Sequence, residues 1–200
     1  MLKLKSKSVS LGVRGLTTTA LLATVASILM FIDFALPIFP SFLKMDFSEV
    51  PGLLAAIAVG PYSGIMVELV KNLINLPHTT TGGVGEFASF TIGSALVIPA
   101  GVLYRRSNTN AGAALALLAG VTTMTAAAAL ANYYVLLPLY GKLVPIDTIL
   151  AMYSEVNPYV DTVPKLILTS IVPFNIIKGT VITLISFALY KRLRRILSGR

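Results

Sequence analysis

The chain has 200 residues, of which 56% are hydrophobic and 12% are charged, and its mean hydropathy is +0.83. Soluble domains carry about a quarter of their residues as charged side chains, so this composition excludes an ordinary soluble domain. The net charge of +8 does not indicate nucleic-acid binding, because the basic residues form short clusters beside apolar segments, as they do in membrane proteins.

Six apolar segments follow one another along the chain, and a membrane-spanning helix needs about 20 mostly apolar residues. The predicted helices are residues 11–31, 48–59, 61–76, 87–104, 110–137 and 166–190. The second and third are short and separate at Gly60-Pro61, because a Gly-Pro pair inside an apolar run ends a helix. Loops are expected at residues 32–50, 77–85 and 140–163. The sequence therefore predicts an all-α integral membrane fold with one domain, residues 1–200.

The basic residues predict how these helices are oriented, since Lys and Arg concentrate in cytoplasmic segments. They precede the first helix, connect the fourth to the fifth and follow the sixth: Lys3, Lys5, Lys7, Arg14, Arg105, Arg106, Lys191, Arg192, Arg194, Arg195 and Arg200. Six helices with both termini in the cytoplasm bring all of them to one side. Five helices, with residues 48–76 as one bent helix, would place Arg105 and Arg106 outside.

Lys178 lies at the centre of the last predicted helix, where an ammonium costs about 2.5–3.5 kcal/mol on insertion scales. Asn175 lies on the same helix face, one turn earlier, and Pro173 is expected to bend the helix and expose carbonyl groups. This face suits a ligand with carbonyl and hydroxyl oxygens. The alternative is a buried ion pair between Lys178 and Glu68 or another acid.

Other polar groups in apolar segments carry weaker signals. Asn132 lies near the outer end of the fifth helix, where an interfacial amide and a ligand contact are equally good interpretations. In the predicted topology it shares the outer leaflet with the outer half of the last helix, so the polar groups converge on an outward-facing pocket. Glu68 and Lys71 are three residues apart, and we expect them to form an ion pair.

Patterns that would indicate an enzyme or a metal site do not occur in the sequence. The threonine- and glycine-rich residues 79–83 lack the Gly-Lys-Ser/Thr ending of a phosphate-binding loop. The sequence has no zinc-type His/Glu pattern, serine elbow or paired carboxylate spacing, and the absence of cysteine excludes thiolate metal ligands and disulfides. A membrane-embedded enzyme is therefore disfavoured, and no metal is expected.

Small residues recur every four positions along the first helix, including Ala20 with Thr24 and Ala23 with Ser27. Such faces let helices approach closely in lipid. Packing within this chain and docking of a partner membrane protein explain the pattern equally well.

Residues 37–51, PIFPSFLKMDFSEVP, closely resemble the first outer loop of the riboflavin-specific S components of energy-coupling-factor (ECF) transporters. The resemblance continues over most of the chain, roughly residues 11–195, and is weakest at residues 140–163. The further matching motifs are Gly60-Pro61, Glu68, Lys71-Asn72, Gly83-x-Gly85-Glu86 and the Pro173-Phe174-Asn175-x-x-Lys178-Gly179 segment.

The resemblance implies a six-helix subunit that captures riboflavin from outside the cell and works with a transmembrane coupling protein and two ATP-binding subunits. It implies that Asn132, Asn175 and Lys178 hydrogen-bond the ligand. It also implies a loop that covers the site: Phe42, Leu43, Lys44, Met45, Asp46 and Phe47. The expected partner-docking residues are Ala20, Ala23, Thr24 and Ser27, which match the family's Ala-x-x-x-Ala pattern only approximately.

Riboflavin would then be the transported ligand and no cofactor is expected. The expected location is the bacterial plasma membrane, with the lipid bilayer as the surroundings and no nucleic-acid partner. Two alternatives remain at this point. One is an S component for another vitamin. The other is a stand-alone ion-coupled transporter that uses Glu68, Lys71 and Lys178 as an intramembrane charge relay.

Overall fold

The computed structural model describes residues 12–39, 43–79, 81–107, 109–142, 144–155 and 157–197. Its α-helices are α1 Val13–Met30, α2 Glu49–Ala58, α3 Pro61–Asn75, α4 Val84–Arg106, α5 Asn110–Ala131, α6 Leu137–Tyr140, α7 Ile146–Ser154, α8 Val163–Leu166 and α9 Val172–Leu197. Two short strands, β1 Phe34–Ala35 and β2 Lys44–Met45, pair antiparallel with Phe34 opposite Met45. The predicted all-α membrane fold is confirmed, and the hairpin is an unpredicted addition inside the first loop.

Four helical stretches among the described residues are long and apolar enough to cross a membrane. They are Val13–Met30, Val84–Arg106, Asn110–Tyr140 and Val163–Leu193. Helices α2 and α3 have only 10 and 15 residues. Each predicted segment is helical, and the count of six membrane passes stays a prediction.

The predicted break between the two short helices lies at Gly60. This residue has φ 156° and ψ 164°, a backbone conformation that is almost restricted to glycine. Pro61 then occupies the first helical position of α3, where its missing N–H leaves no hydrogen bond unmade. The Gly-Pro pair therefore ends α2 and starts α3.

The two longest spans each contain a π-helical turn. Asn132–Leu136 joins α5 to α6, and Ile167–Ile171 joins α8 to α9. Each turn lies just before a proline, Pro138 or Pro173. A proline lacks the amide donor, and its ring clashes with the carbonyl four residues earlier, so a widened turn accommodates it. The expected irregularity at Pro173 is present, whereas that before Pro138 was not predicted.

The prediction that residues 140–163 form a loop is wrong, because this stretch contains α7. Helix α7 turns Tyr153 inward, where only 2% of the residue remains exposed. Its apolar neighbours are Ala128, Leu137, Val160, Leu166, Ile167 and Ile171. The nine-residue helix is too short to cross a membrane, but its apolar side chains are buried against the C-terminal end of α5 and against α8.

Helix α2 occupies the centre of the molecule and contacts α1, α3, α4 and α9. Every residue from Glu49 to Ile57 is buried. Glycines allow the neighbouring helices to approach: a Cβ on Gly64 or Gly101 would lie 2.8 or 2.7 Å from Ala56 Cβ. This packing fixes the first turn of α2, and with it Glu49, in the middle of the helices that carry the charged residues.

Candidate ligand-binding site

Five charged side chains from four parts of the chain meet in one buried cluster, which we call the charge network: Asp46, Glu49, Glu68, Lys71 and Lys178. Asp46 lies between β2 and α2, and the other four residues lie on α2, α3 and α9. Buried charges are costly unless they are paired and hydrogen-bonded. The network satisfies this requirement by placing each ammonium between carboxylates.

The first half of the charge network joins α9 to the loop. Lys178 Nζ lies 2.9 Å from Asp46 Oδ2 and 3.1 Å from Glu49 Oε1. The predicted alternative of an ion pair at Lys178 is therefore present, but its partners are Asp46 and Glu49 rather than Glu68. An ammonium has three N–H donors, and two carboxylates account for two of them. Lys178 is therefore a paired cation, held between one carboxylate of the loop and one of α2.

The second half lies deeper and holds Lys71. Its Nζ is 2.7 Å from Glu68 Oε2 and 3.6 Å from Glu49 Oε1, and it donates a 2.8 Å hydrogen bond to Ser48 Oγ. The predicted Glu68–Lys71 pair is confirmed. Because Glu49 Oε1 contacts both lysines, the two halves form one connected network.

The Asp46 carboxylate is stabilised in its charged form. Burial raises its pKa, but the Lys178 and Lys71 ammoniums and the Ser48 hydrogen bond outweigh burial and hold the pKa well below its usual value. The backbone N–H of Ser48 donates to Asp46 Oδ1 over 2.8 Å. Asp46 therefore stays ionised at physiological pH and ties the loop to α9.

Two glycines make room for the Glu68 carboxylate. A Cβ on Gly52 would collide with Glu68 Oε1, and a Cβ on Gly93 would collide with Oε2. Glu68 Oε1 has no hydrogen-bond partner among the described residues. The carboxylate is thus enclosed between α2 and α4 and depends on Lys71 for its stabilisation.

The two predicted amides lie beside the same apolar cluster. Asn175 donates through Nδ2 to Ile171 O over 2.8 Å, and Asn132 donates to Ala128 O over 2.8 Å. Ile171 and Ala128 belong to one buried cluster, and Leu43 of the loop packs against it. The structure therefore brings Asn132, Asn175 and Leu43 around a shared apolar surface.

The other loop residues differ in their surroundings. Met45 is buried and Phe47 is half-buried against Phe34. Lys44 forms an exposed ion pair with Asp33 at 2.9 Å, so its side chain lies apart from the charge network. Phe42 lies outside the described residues.

The predicted docking residues fall on two faces of α1. Ala23 and Ser27 are buried and pack within the chain, where Ala23 contacts the cluster that contains Ala55 and Val67. Ala20 and Thr24 are exposed. Internal packing therefore explains Ala23 and Ser27, and a partner would have direct access to the exposed pair.

Sequence reasoning missed Glu49 and Ser48, which are central to the site. Both lie where the predicted loop, residues 32–50, overlaps the start of the predicted helix, residues 48–59, and a carboxylate or hydroxyl is unremarkable there. Two sequence signals could have found them: Ser48 and Glu49 lie within the resemblance motif of residues 37–51, and each buried ammonium needs an acidic partner.

A family model for the substrate-specific component of ECF transporters matches residues 14–190. The chain belongs to this family. Its membership confirms the resemblance seen in the sequence and shows a component of a transporter rather than an enzyme. With several apolar helices, this S component is a multi-pass membrane protein.

Individual relatives align over nearly the whole S component. Riboflavin transporter RibU of Staphylococcus aureus (strain TCH60) is 37% identical, covering 91% of both chains. Riboflavin transporter FmnP of Bacillus subtilis (strain 168) is 32% identical over 91% of this chain and 93% of the relative. A solved S component of a bacterial ECF transporter superposes with a TM-score of 0.74 at 36% identity, covering 92% of this chain and 97% of that chain.

Proposed function

We propose that this S component binds riboflavin and delivers it for uptake into the cell. The observation that carries the proposal is the alignment, over 91% of the chain, with two proteins named as riboflavin transporters. Riboflavin is the transported ligand, and no cofactor is required for its capture.

The chemistry of the site supports this ligand. The flavin ring is flat and largely apolar with polar atoms along one edge, and pockets for such ligands combine apolar walls with a few placed polar groups. Asn132, Asn175 and Lys178 supply those groups beside the apolar cluster around Ile171. Leu43, Met45 and Asp46 cover the site from the loop, together with Lys44 and Phe47.

The Lys178–Asp46 pair connects the cover to the site. When the loop is in place, the pair is largely shielded from water, with side chains only 10% and 14% exposed. Entry and release of a ligand require this loop to move, and the pair must then hydrate. Loop closure over the ligand restores the pair and removes the bound flavin from water.

The proposed topology has six passes, both termini in the cytoplasm and a pocket open to the outside. It is supported by contacts between helix ends. Phe31 after α1 contacts His78 after α3, with ring centroids 5.4 Å apart, and Tyr104 of α4 contacts Tyr190 of α9 at 5.5 Å. Arg105 and Arg106 follow Tyr104 and are exposed, which suits the cytoplasmic side of a bacterial plasma membrane.

Energy for transport is proposed to come from partners, namely a transmembrane coupling protein and two ATP-binding subunits. The lack of a phosphate-binding loop in the chain supports this division of work. Ala20 and Thr24 provide a small-residue surface on α1 that a partner helix can approach closely. Ala23 and Ser27 support that surface from the inner side.

Purification of the S component in mild detergent, followed by absorption and fluorescence spectroscopy, tests the ligand. The expected result is a bound yellow flavin that is released on denaturation and rebinds stoichiometrically with quenched fluorescence. A colourless protein that also leaves added riboflavin unquenched would refute the assignment, and other vitamins would be tested next. Transport by the purified chain alone with a dependence on an ion gradient would instead support a secondary transporter.

Enlarging the exposed small residues tests the docking surface. Thr24→Leu combined with Ala20→Leu is expected to reduce riboflavin uptake in cells at least tenfold, because two bulky side chains prevent close helix approach. Riboflavin binding by the purified double variant should be unchanged. Leu21→Ala, at another exposed position of α1, serves as the control that retains uptake. Normal uptake by an expressed double variant would remove Ala20 and Thr24 from the docking surface.

A further inference from the structure

One buried hydroxyl on α5 lacks the backbone partner that many helical hydroxyls among the described residues have. Eight helical hydroxyls donate to the carbonyl four residues earlier: Thr17, Thr19, Thr24, Ser27, Thr123, Thr169, Thr183 and Ser186. Thr125 Oγ1 is buried and has no hydrogen-bond partner among the described residues. Ser63 Oγ on α3 and Ser94 Oγ on α4 are also buried without a partner among the described residues. A buried hydroxyl without a partner is unfavourable, and Thr125 is the one of these three that lies on α5, the helix that leads to Asn132.

The position of Thr125 places it beside the proposed ligand site. It precedes Asn132 by seven residues, which is close to two helical turns, so both residues lie on one face of α5. Ala128 lies between them and packs in the cluster that contains Ile171. The same stripe of α5 therefore carries Thr125 and one of the amides assigned to ligand binding.

Contacts between α5 and α9 show which part of α9 lies beside Thr125. On the N-terminal side of Thr125, a Cβ on Gly179 of α9 would lie 3.0 Å from Met124 and 3.3 Å from Val121. On its C-terminal side, Ala128 belongs to the same buried cluster as Ile171. Asn175 lies midway between Ile171 and Gly179 on α9, so Thr125 and Asn175 occupy the same level of the two helices.

We propose that Thr125 is a further ligand-binding residue, whose hydroxyl bonds a polar atom of the bound flavin between α5 and α9. This inference rests on the proposed function. A threonine hydroxyl both donates and accepts, so it suits a ring carbonyl, a ring nitrogen or a hydroxyl of the side chain. Ligand binding would then supply the partner that the hydroxyl lacks among the described residues.

Thr125→Val tests the inference, because valine keeps the shape and removes the hydroxyl. The variant is expected to bind riboflavin about tenfold more weakly by fluorescence quenching, since a polar atom of the bound ligand loses its partner. Its ligand-free melting temperature should equal or exceed that of the wild type, because no internal hydrogen bond is lost. Thr125→Ser should stay within about threefold of wild-type affinity because it keeps the hydroxyl.

Thr183→Val provides the matched control on α9. Thr183 is fully buried and donates to Gly179 O over 2.6 Å, so its valine variant should lose stability and keep riboflavin affinity. Wild-type affinity in a folded Thr125→Val protein would overturn the inference while leaving the proposed function intact. If Thr125→Val does not purify as a monodisperse protein, Thr125→Ala is used with the same expectation. A wild-type chain that does not quench riboflavin would overturn the proposed function and this inference together.

Discussion

Lys71 and Lys178 are both buried lysines that contact Glu49, but their surroundings differ. Lys71 is fully buried and is paired with Glu68 of its own helix and with Ser48. Lys178 keeps 10% of its side chain exposed and is paired with Asp46 of a loop. A lysine enclosed by helices suits a structural role, whereas one whose partner lies on a loop can exchange contacts with a ligand. The two halves of one network thus suit different tasks.

The largest loss of stability is expected from a substitution in the fully buried half of the charge network, at Lys71. Lys71→Ala leaves the Glu68 carboxylate buried without its cation, while Glu49 keeps Lys178, and breaking a buried pair in this way costs about 3–5 kcal/mol. The variant should unfold at a much lower temperature in detergent, measured by circular dichroism. Lys44→Ala is the control, because its exposed pair with Asp33 contributes about 1 kcal/mol or less. Equal stability of the two variants would contradict the structural role of Lys71.

The sequence predicted the helices well because hydropathy and helix breakers act locally. The predicted residues 61–76 correspond to α3, Pro61–Asn75, and the break at Gly60 is confirmed. Helix α7 was missed because nine residues are too few for a hydropathy signal, and its burial depends on contacts with distant helices. Local patterns thus determine where helices occur, while their packing determines which loop segments become ordered.

The candidate site was predictable only in part. Lys178 was identified by its cost in lipid, and the Glu68–Lys71 pair by its spacing on one helix. Lys178 and Asp46 are 132 residues apart, and no local pattern predicts that they meet. Glu49 was missed for the same reason, because its importance comes from the convergence of α2, α3 and α9. The ligand assignments of Asn132, Asn175 and Lys178 stay predictions.

A smaller loss of stability is expected from crowding the enclosed half without removing a charge. Gly93→Ala places a methyl group against the Glu68 carboxylate, and overpacking of this kind costs about 1–3 kcal/mol. The measurement is thermal unfolding of the purified variant. Gly12→Ala is the control, since a Cβ at Gly12 has no neighbour within 4 Å. A Gly93→Ala protein as stable as this control would show that the Glu68 pocket can relax.

The smallest effect on stability, but a clear effect on binding, is expected at the loop-facing half. Lys178→Ala should weaken riboflavin binding at least tenfold in quenching titrations, because it removes the site's ammonium and releases Asp46 from α9. Asp46 lies on a loop and can turn toward water, so the variant should lose less stability than Lys71→Ala. A large loss of affinity with a smaller loss of stability would distinguish the role of Lys178 from that of Lys71. If Lys178→Ala stays folded with unchanged affinity, Lys178 does not contact the ligand, and both lysines serve the fold alone.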